Sequence, residues 1–293
     1  MDALHIDRLS KRFGDVQALK DMSFSVHPGE IYGFVGSNGA GKSTTMRIAL
    51  GVLEADSGEV RLGNTLMNDS LRRRIGYMPE ERGLYAKEKI ADQLKFLGQL
   101  HGMTAAAAQN NANHLLERLG LADRAEDKLE TLSLGNQQRV QLAASLIHTP
   151  DLLILDEPFS GLDPVAVNVM SDMLIDRANA GVPVVFSSHQ LDLVQRLCDR
   201  VGIVTKGQMK AEGTVDELRS RGPIVYDIHT PARNWYPAGT RLVEEHDRGV
   251  VLEFNSPEQD QEVLQAALAA GPVHSFSRRI PHLTDLFQEV IES

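Results

Sequence analysis

The chain has 293 residues, 42% of them hydrophobic, with 30 Lys and Arg against 40 Asp and Glu and a formal net charge of −10. That length holds one large domain and a small one, and the acidic balance argues against a general nucleic-acid binder, which needs a basic footprint. No run approaches 18 apolar residues, so the chain is not expected to span a membrane, and its single cysteine, Cys198, forms no internal disulfide, which suits a reducing cytosol.

The N-terminal Met1 to Ser10 shows neither a basic region nor an apolar one of the kind that directs export. Leu4, Ile6 and Leu9, then Phe24 and Val26, predict two short strands joined by Ser10 to Asp21. In that connection Phe13 precedes Gly14, and two readings stand open: a core plug, or a ring that stacks on a nucleobase.

Ile31 to Val35 predicts a buried strand and Thr44 to Leu50 a helix. Between them lies Gly36-Ser37-Asn38-Gly39-Ala40-Gly41-Lys42-Ser43-Thr44, the pattern G-x-x-x-x-G-K-[ST] in its strand-turn-helix setting. Gly36, Gly39 and Gly41 free the backbone to aim successive N–H groups at one anion, and the following helix adds its positive end. Each charge-assisted N–H contact contributes roughly 1.5 to 3 kcal/mol, so several converging donors outweigh any single side chain. Lys42 supplies a countercharge for the β- and γ-phosphates, and the Ser43 hydroxyl a ligand for Mg²⁺.

Further along, Glu59 to Leu62 predicts a strand, and Arg72-Arg73-Arg74 reads as a solvated face rather than a phosphate patch. Ile75 to Met78 predicts a buried strand that Pro79 ends, emptying into Glu80-Glu81-Arg82-Gly83. Ile90, Leu94, Leu97 and Leu100 recur at helical spacing, as do Leu115, Leu116 and Leu119 before Gly120. These two helices interrupt the strand-helix alternation and predict a lobe of their own. Ser133, followed by Gly135 and a helix to about Ile147, is an ordinary N-cap or a second anion site.

Leu152 to Leu155 predicts a fully buried strand that delivers Asp156 and Glu157 at its C-terminal end, where open α/β sheets bind ligands. Neighbours on a strand point to opposite sides, which predicts separate tasks: Asp156 for Mg²⁺, Glu157 for orienting or deprotonating an attacking water. Ser160 to Pro164 predicts a turn or helix start, Val165 to Asn179 a helix, and Val182 to Phe186 a strand ending at His189, on the same edge as the acid pair. A helix over Leu191 to Cys198 and a hairpin about Lys206-Gly207 follow.

Beyond Leu218 the character changes. Arg219 to Pro223 reads as a linker, and Arg221 to Ser293 carries 6 Arg against 11 Asp and Glu, half of the chain's acidic excess. Strands Ile224 to Ile228, Arg241 to Glu245, Val250 to Phe254 and Val273 to Ser277, with helices Gln259 to Ala270 and His282 to Ile291, predict a small α+β domain without a chemical motif.

The first 220 residues resemble the ATPase subunit of an ABC transporter. Gly36 to Ser43 matches Walker A, Leu152 to Glu157 Walker B, and Leu132 to Gln137 the family signature; Ser160 to Asp163 is similar to the D-loop, His189 to the switch histidine and Phe13 to the adenine-stacking aromatic. The resemblance implies an α/β P-loop NTPase core with an N-terminal antiparallel β subdomain and a helical subdomain at about 83–130, an ATP-binding domain over 1–220 and an accessory α+β domain over 221–293. It further implies ATP and Mg²⁺ as ligands and head-to-tail pairing of two ATPase subunits, identical or not. In that pairing Ser133, Gly135, Asn136 and Asp163 of one subunit meet the nucleotide held by the other. A separate transmembrane permease would hold the pair at the inner face of the membrane, and no nucleic acid is expected. Three positions depart from the pattern: Glu80 replaces the Q-loop glutamine as a candidate metal ligand, and Leu134 and Asn136 replace signature Gly and Gln. The run Glu80 to Tyr85 and Asn136-Gln137-Gln138 are similar to the ABC-2 exporter branch, including sodium-efflux-type subunits. The alternatives are a non-transport ABC ATPase that remodels translation or DNA-repair complexes, and an ATP-dependent regulatory subunit.

Overall fold

The computed structural model describes residues 1–81, 83–220, 224–254, 256, 258–279 and 282–292, with side chains in the last helix described through 288. Arg82 and residues 221–223 of the expected linker lie outside the described residues. By their contacts the residues fall into two units, Met1–Val215 and Asp216–Ser293.

The first unit opens with a long hairpin, β1 (Leu4–Phe13) and β2 (Val16–Val26). The loop expected over Ser10 to Asp21 is therefore mostly strand. Its alternation is broken by register shifts, with Arg8 and Asp21 at positive φ, so polar side chains appear out of phase with a simple period of two. β3 (Ile31–Gly36) leads into α1 (Lys42–Ala49), then β4 (Ser57–Leu62), β5 (Thr65–Leu66), α2 (Asp69–Arg72) and β6 (Ile75–Met78). α3 (Ile90–Leu100) and α4 (Ala105–Arg118) precede α5 (Leu134–Leu146). β7 (Leu152–Leu155), α6 (Pro164–Asn179), β8 (Val184–Ser188), α7 (Leu191–Leu197), β9 (Arg200–Thr205), β10 (Gln208–Thr214) and α8 (Val215–Ser220) complete the run. The boundary expected at 220/221 and the contact division at 215/216 fall at the two ends of α8.

Two sheets form. The antiparallel one has the order β2-β1-β4-β5; the larger has the order β10-β9-β3-β8-β7-β6, parallel from β9 to β6 with antiparallel β10 at its edge. Leu4, Ile6, Leu9, Leu19, Met22 and Phe24 from the first sheet pack with Tyr32, Phe34, Ile154 and Val185 of the second and Met46 and Ile48 of α1. The helix after the P-loop strand is thus fixed by the core on its apolar side. α3 and α4 pack on each other and on α5. In α3 the buried stripe runs through Ile90, Ala91, Leu94 and Gly98, while Leu100, expected inside, is exposed. Gly98 replaces it because a Cβ there would come within 3.0 Å of Ala108, and the bare backbone lets α4 approach.

The second unit holds the sheet β12-β13-β11-β14, from β11 (Ile224–His229), β12 (Thr240–His246), β13 (Gly249–Phe254) and β14 (Ser275–Arg279), with helices α9 (Gln259–Ala270) and α10 (Leu283–Glu292). Ile228, Val250, Leu252 and Phe254 meet Val263 and Ala267 of α9 on one face.

At the turn between α5 and β7, His148 stacks on His101, with ring centroids 3.7 Å apart and 10° between planes. Burial first, and then the neighbouring His101, push its pKa down to about 4 from 6.5. Between those values the unfolded chain binds more protons than the folded one, so stability falls as pH drops through that window. Thermal melts across that range are expected to show the loss, and His148→Phe to show a shallower one; equal slopes in the two chains exclude His148 as the source.

Candidate functional site

Strand order brings the motifs together. β8 lies between β3 and β7 in parallel register, Val35 opposite Ser188 and Leu155 opposite Phe186, so the C-terminal ends of all three open on one edge. β6 lies on the far side of β7, with Met78 opposite Leu155, which brings Pro79 and Glu80 beside the acid pair. The Asp156 N–H donates to Met78 O at 2.8 Å.

The loop after β3 closes on itself. Gly39 and Gly41 have φ of 79° and 105°, and Gly41 caps α1. A Cβ on Gly36 would lie 2.5 Å from Val204 O, and one on Gly41 2.9 Å from Ala18 O, so these glycines answer both a backbone and a space requirement. The Lys42 ammonium is buried and donates to Gly36 O at 2.7 Å, with Glu157 Oε1 3.8 Å away.

The acid pair departs from the expectation of opposite directions. β7 ends at Leu155, and Glu157 adopts a φ of 49°, so the chain turns after Asp156 and both carboxylates line one cavity. That backbone region costs a non-glycine residue of order 1 kcal/mol and persists where surroundings hold it. Here the Glu157 N–H donates to Ser187 Oγ at 2.8 Å, and the Ser187 hydroxyl donates to Asp156 Oδ1 at 2.5 Å. His189 Nδ1 lies 2.8 Å from Glu157 Oε2.

The cavity, about 200 Å³, is lined by Asn38 to Thr44, Glu80, Asp156, Glu157 and Ala18. Gly36 supplies the carbonyl that holds Lys42, as does Ser37, whose carbonyl lies 3.4 Å from the ammonium. Phe13 sits outside this cavity at the tip of the β1-β2 hairpin, 48% exposed, with the Lys11 ammonium 5.7 Å from its ring centroid. Of the two readings left open for Phe13, the core plug is therefore excluded.

Ser133, Gly135, Asn136 and Asp163 are likewise absent from the lining. Ser133 Oγ accepts the Asn136 N–H at 3.4 Å and Asp163 Oδ1 accepts the Ala166 N–H at 2.8 Å, so each caps its helix. Those two helix starts are neighbours: a Cβ on Gly135 would lie 3.6 Å from Leu162, and one on Gly161 3.1 Å from Leu134. Leu134 lies in the first turn of α5 and needs no glycine-only conformation.

Sequence reasoning missed Ser187, Ala18 and the α5 glutamines. Gln141 Nε2 donates to Pro79 O and Glu81 O, at 2.8 and 3.1 Å, and so holds the loop that bears Glu80; Gln138 Nε2 donates to Pro158 O at 3.2 Å. Their one signal is amides recurring at 137, 138 and 141 among the apolar Val140, Leu142 and Ala143 of the helix.

The cavity thus gathers the glycine-rich loop, Lys42 and three acidic side chains, Glu80, Asp156 and Glu157. The model for "ABC transporter" matches residues 19–160, and that for "ATP-binding protein DrrA1-3-like, C-terminal domain" matches residues 213–291. The chain is 36% identical to the uncharacterized ABC transporter ATP-binding protein YhaQ of Bacillus subtilis, over 98% of each chain. It is 38% identical to the linearmycin resistance ATP-binding protein LnrL of the same organism, over 74% of this chain and 71% of that one. A solved ATP binding subunit of an ABC transporter superposes with a TM-score of 0.69 at 30% identity, covering 74% of this chain and 91% of the other. The chain belongs to the ATP-binding subunits of ABC transporters, and it is an ATPase.

Proposed function

We propose that the chain couples ATP hydrolysis to export through a separate transmembrane permease, and that its chemistry is carried by Lys42, Glu157 and His189. The observation that carries this reading is the buried Lys42 and Glu157, 3.8 Å apart at the mouth of the P-loop, with His189 on the other carboxylate oxygen. Backbone N–H groups of 39–44 receive the β- and γ-phosphates, and the Lys42 ammonium turns from Gly36 O to them. Glu157 accepts a proton from the attacking water as its oxygen bonds to the γ-phosphorus, and the bridging oxygen leaves with its electron pair on ADP. His189 holds the Glu157 carboxylate in place.

Ser43, Asp156 and Glu80 all line the cavity and offer an all-oxygen donor set, which fits a hard cation such as Mg²⁺. When bound, that ion neutralises charge on the phosphate oxygens. Asp156 Oδ1 is taken by Ser187, which leaves Oδ2 for the task. Phe13 stacks on adenine, its exposure at the hairpin tip being what an accessible platform requires.

Ser133, Gly135, Asn136 and Asp163 act on the nucleotide of a second ATPase subunit. Three features support this: they do not line the chain's own cavity, their helix starts are neighbours, and Leu134 and Val165 are exposed there at 44% and 67%. The lobe at 83–130 receives the permease, and residues 221–293 form the accessory domain of a 1–220 ATPase domain. Among the described residues no helix is long and apolar enough to cross a membrane. The translocation path is assigned to the separate permease, which holds the chain at the inner face of the membrane. Resistance, the role named for the linearmycin relative, fits export.

Glu157→Gln is expected to bind ATP within about threefold of the parent and to lose turnover by at least about 100-fold; undiminished steady-state hydrolysis rejects Glu157 as the base. Ser187→Ala leaves Asp156 Oδ1 and the Glu157 N–H short of a partner, and urea unfolding should show a loss of about 1 to 3 kcal/mol. An unchanged midpoint would show that Ser187 does not hold the acid pair.

A further inference from the structure

The C-terminal unit carries a cluster that its sequence does not advertise. Asp227 and His229 are two apart on β11 and so share a face of the sheet. His246 ends β12, on the far side of β13. Gly249, at the start of β13, pairs with His229 on one side and His246 on the other. A Cβ there would lie 1.9 Å from Ile228 O, so a glycine lets β11 run this close, and the two imidazoles meet edge to face with centroids 5.6 Å apart.

The ligating atoms converge on one oxygen. Asp227 Oδ1 is 3.2 Å from His246 Nε2 and 3.4 Å from His229 Nε2, and all three groups offer atoms within 4.8 Å of one another. Metal-ligand distances of about 2.0 to 2.1 Å place tetrahedral ligands roughly 3.3 to 3.4 Å apart. The two distances to Asp227 Oδ1 have that spacing, and the two histidines offer nitrogens within 4.8 Å of each other, which side-chain rotation can close. Each of the three side chains is about a third exposed or less, so an ion has a path in while the strands fix the Cα positions.

We propose that Asp227, His229 and His246 bind a transition-metal dication of the zinc class, with a fourth position open to water. Two imidazoles and one carboxylate favour a borderline ion over Mg²⁺ or Ca²⁺, which take oxygen ligands. The ion clips β11 to β12 across β13 and rigidifies the exposed face of the accessory sheet. Without metal, His246 Nε2 is hydrogen-bonded to Asp227 Oδ1 at 3.2 Å; the Arg248 N–H donates to His246 Nδ1 at 3.3 Å, which places the imidazole proton on Nε2, facing Asp227. Binding at Nε2 displaces that proton, and the weak Arg248 contact gives way as Nδ1 takes up a proton or solvent.

The test uses the full chain, free of nucleotide, titrated with Zn²⁺ and, for geometry, with Co²⁺. One equivalent of Zn²⁺ is expected to persist through gel filtration, with Co²⁺ giving the intense visible bands of four-coordinate geometry and excess Mg²⁺ failing to compete. His229→Gln and His246→Gln should each weaken binding at least tenfold while ATP binding is unchanged, which also reports folding. Asp227→Asn, which keeps the side chain's size, provides a second route to the same loss if a histidine variant fails to fold. No retained metal in the parent chain, or equal retention by all variants, overturns the proposal and leaves only a hydrogen-bonded His246–Asp227 pair beside His229.

Discussion

The structure depends on a lysine and a glutamate held 3.8 Å apart inside the protein, each less than a tenth exposed. Two buried charges are costly unless they are close and otherwise satisfied. Gly36 O and Ser37 O accept hydrogen bonds from the Lys42 ammonium, while His189 meets the other oxygen of Glu157. The strand order follows from the same need. With β8 between β3 and β7, Ser187 stands where one hydroxyl accepts from the Glu157 N–H and donates to Asp156, and the strained backbone of Glu157 is held by the strand that ends one residue before His189.

The same geometry ties the site to surfaces away from it. α5 begins at the exposed Ser133-Leu134-Gly135 turn, and its buried face reaches Pro158 through Gln138 and both Pro79 and Glu81 through Gln141. One helix therefore touches the loops on either side of the acid pair. α3 and α4 pack against that helix, so the lobe proposed to meet the permease is joined to the carboxylates by side-chain amides and by packing. In this account the nucleotide completes a contact between two chains, and α5 carries the change to the lobe.

Legibility in the sequence followed the local signals. Gly36 to Thr44 and Leu152 to Glu157 were readable because each is contiguous, and α9 was placed at its observed bounds, Gln259–Ala270, by period and flanking polarity. The β1-β2 hairpin was not, because its register shifts put polar residues where alternation expects apolar ones. The direction of Glu157 was misjudged because the strand ends two residues earlier than a simple alternation assumes, and positive φ at a glutamate has no sequence mark. Ser187 differs from Ser188 only by which one faces Asp156. Asp227, His229 and His246 lie on strands that become neighbours of one glycine only through the register of β13, which periodicity alone does not fix.

The central claim is that one chain holds half of a site and that a second chain supplies Ser133 to Asn136. Light scattering of the Glu157→Gln chain, with and without saturating Mg·ATP, tests it most directly when Ser133→Arg is made on the same background. The account predicts twice the single-chain mass with nucleotide for Glu157→Gln, and the single-chain mass for the double variant while it still binds ATP. A Glu157→Gln chain that stays single at saturating Mg·ATP, or a double variant that pairs as readily as its parent, contradicts it.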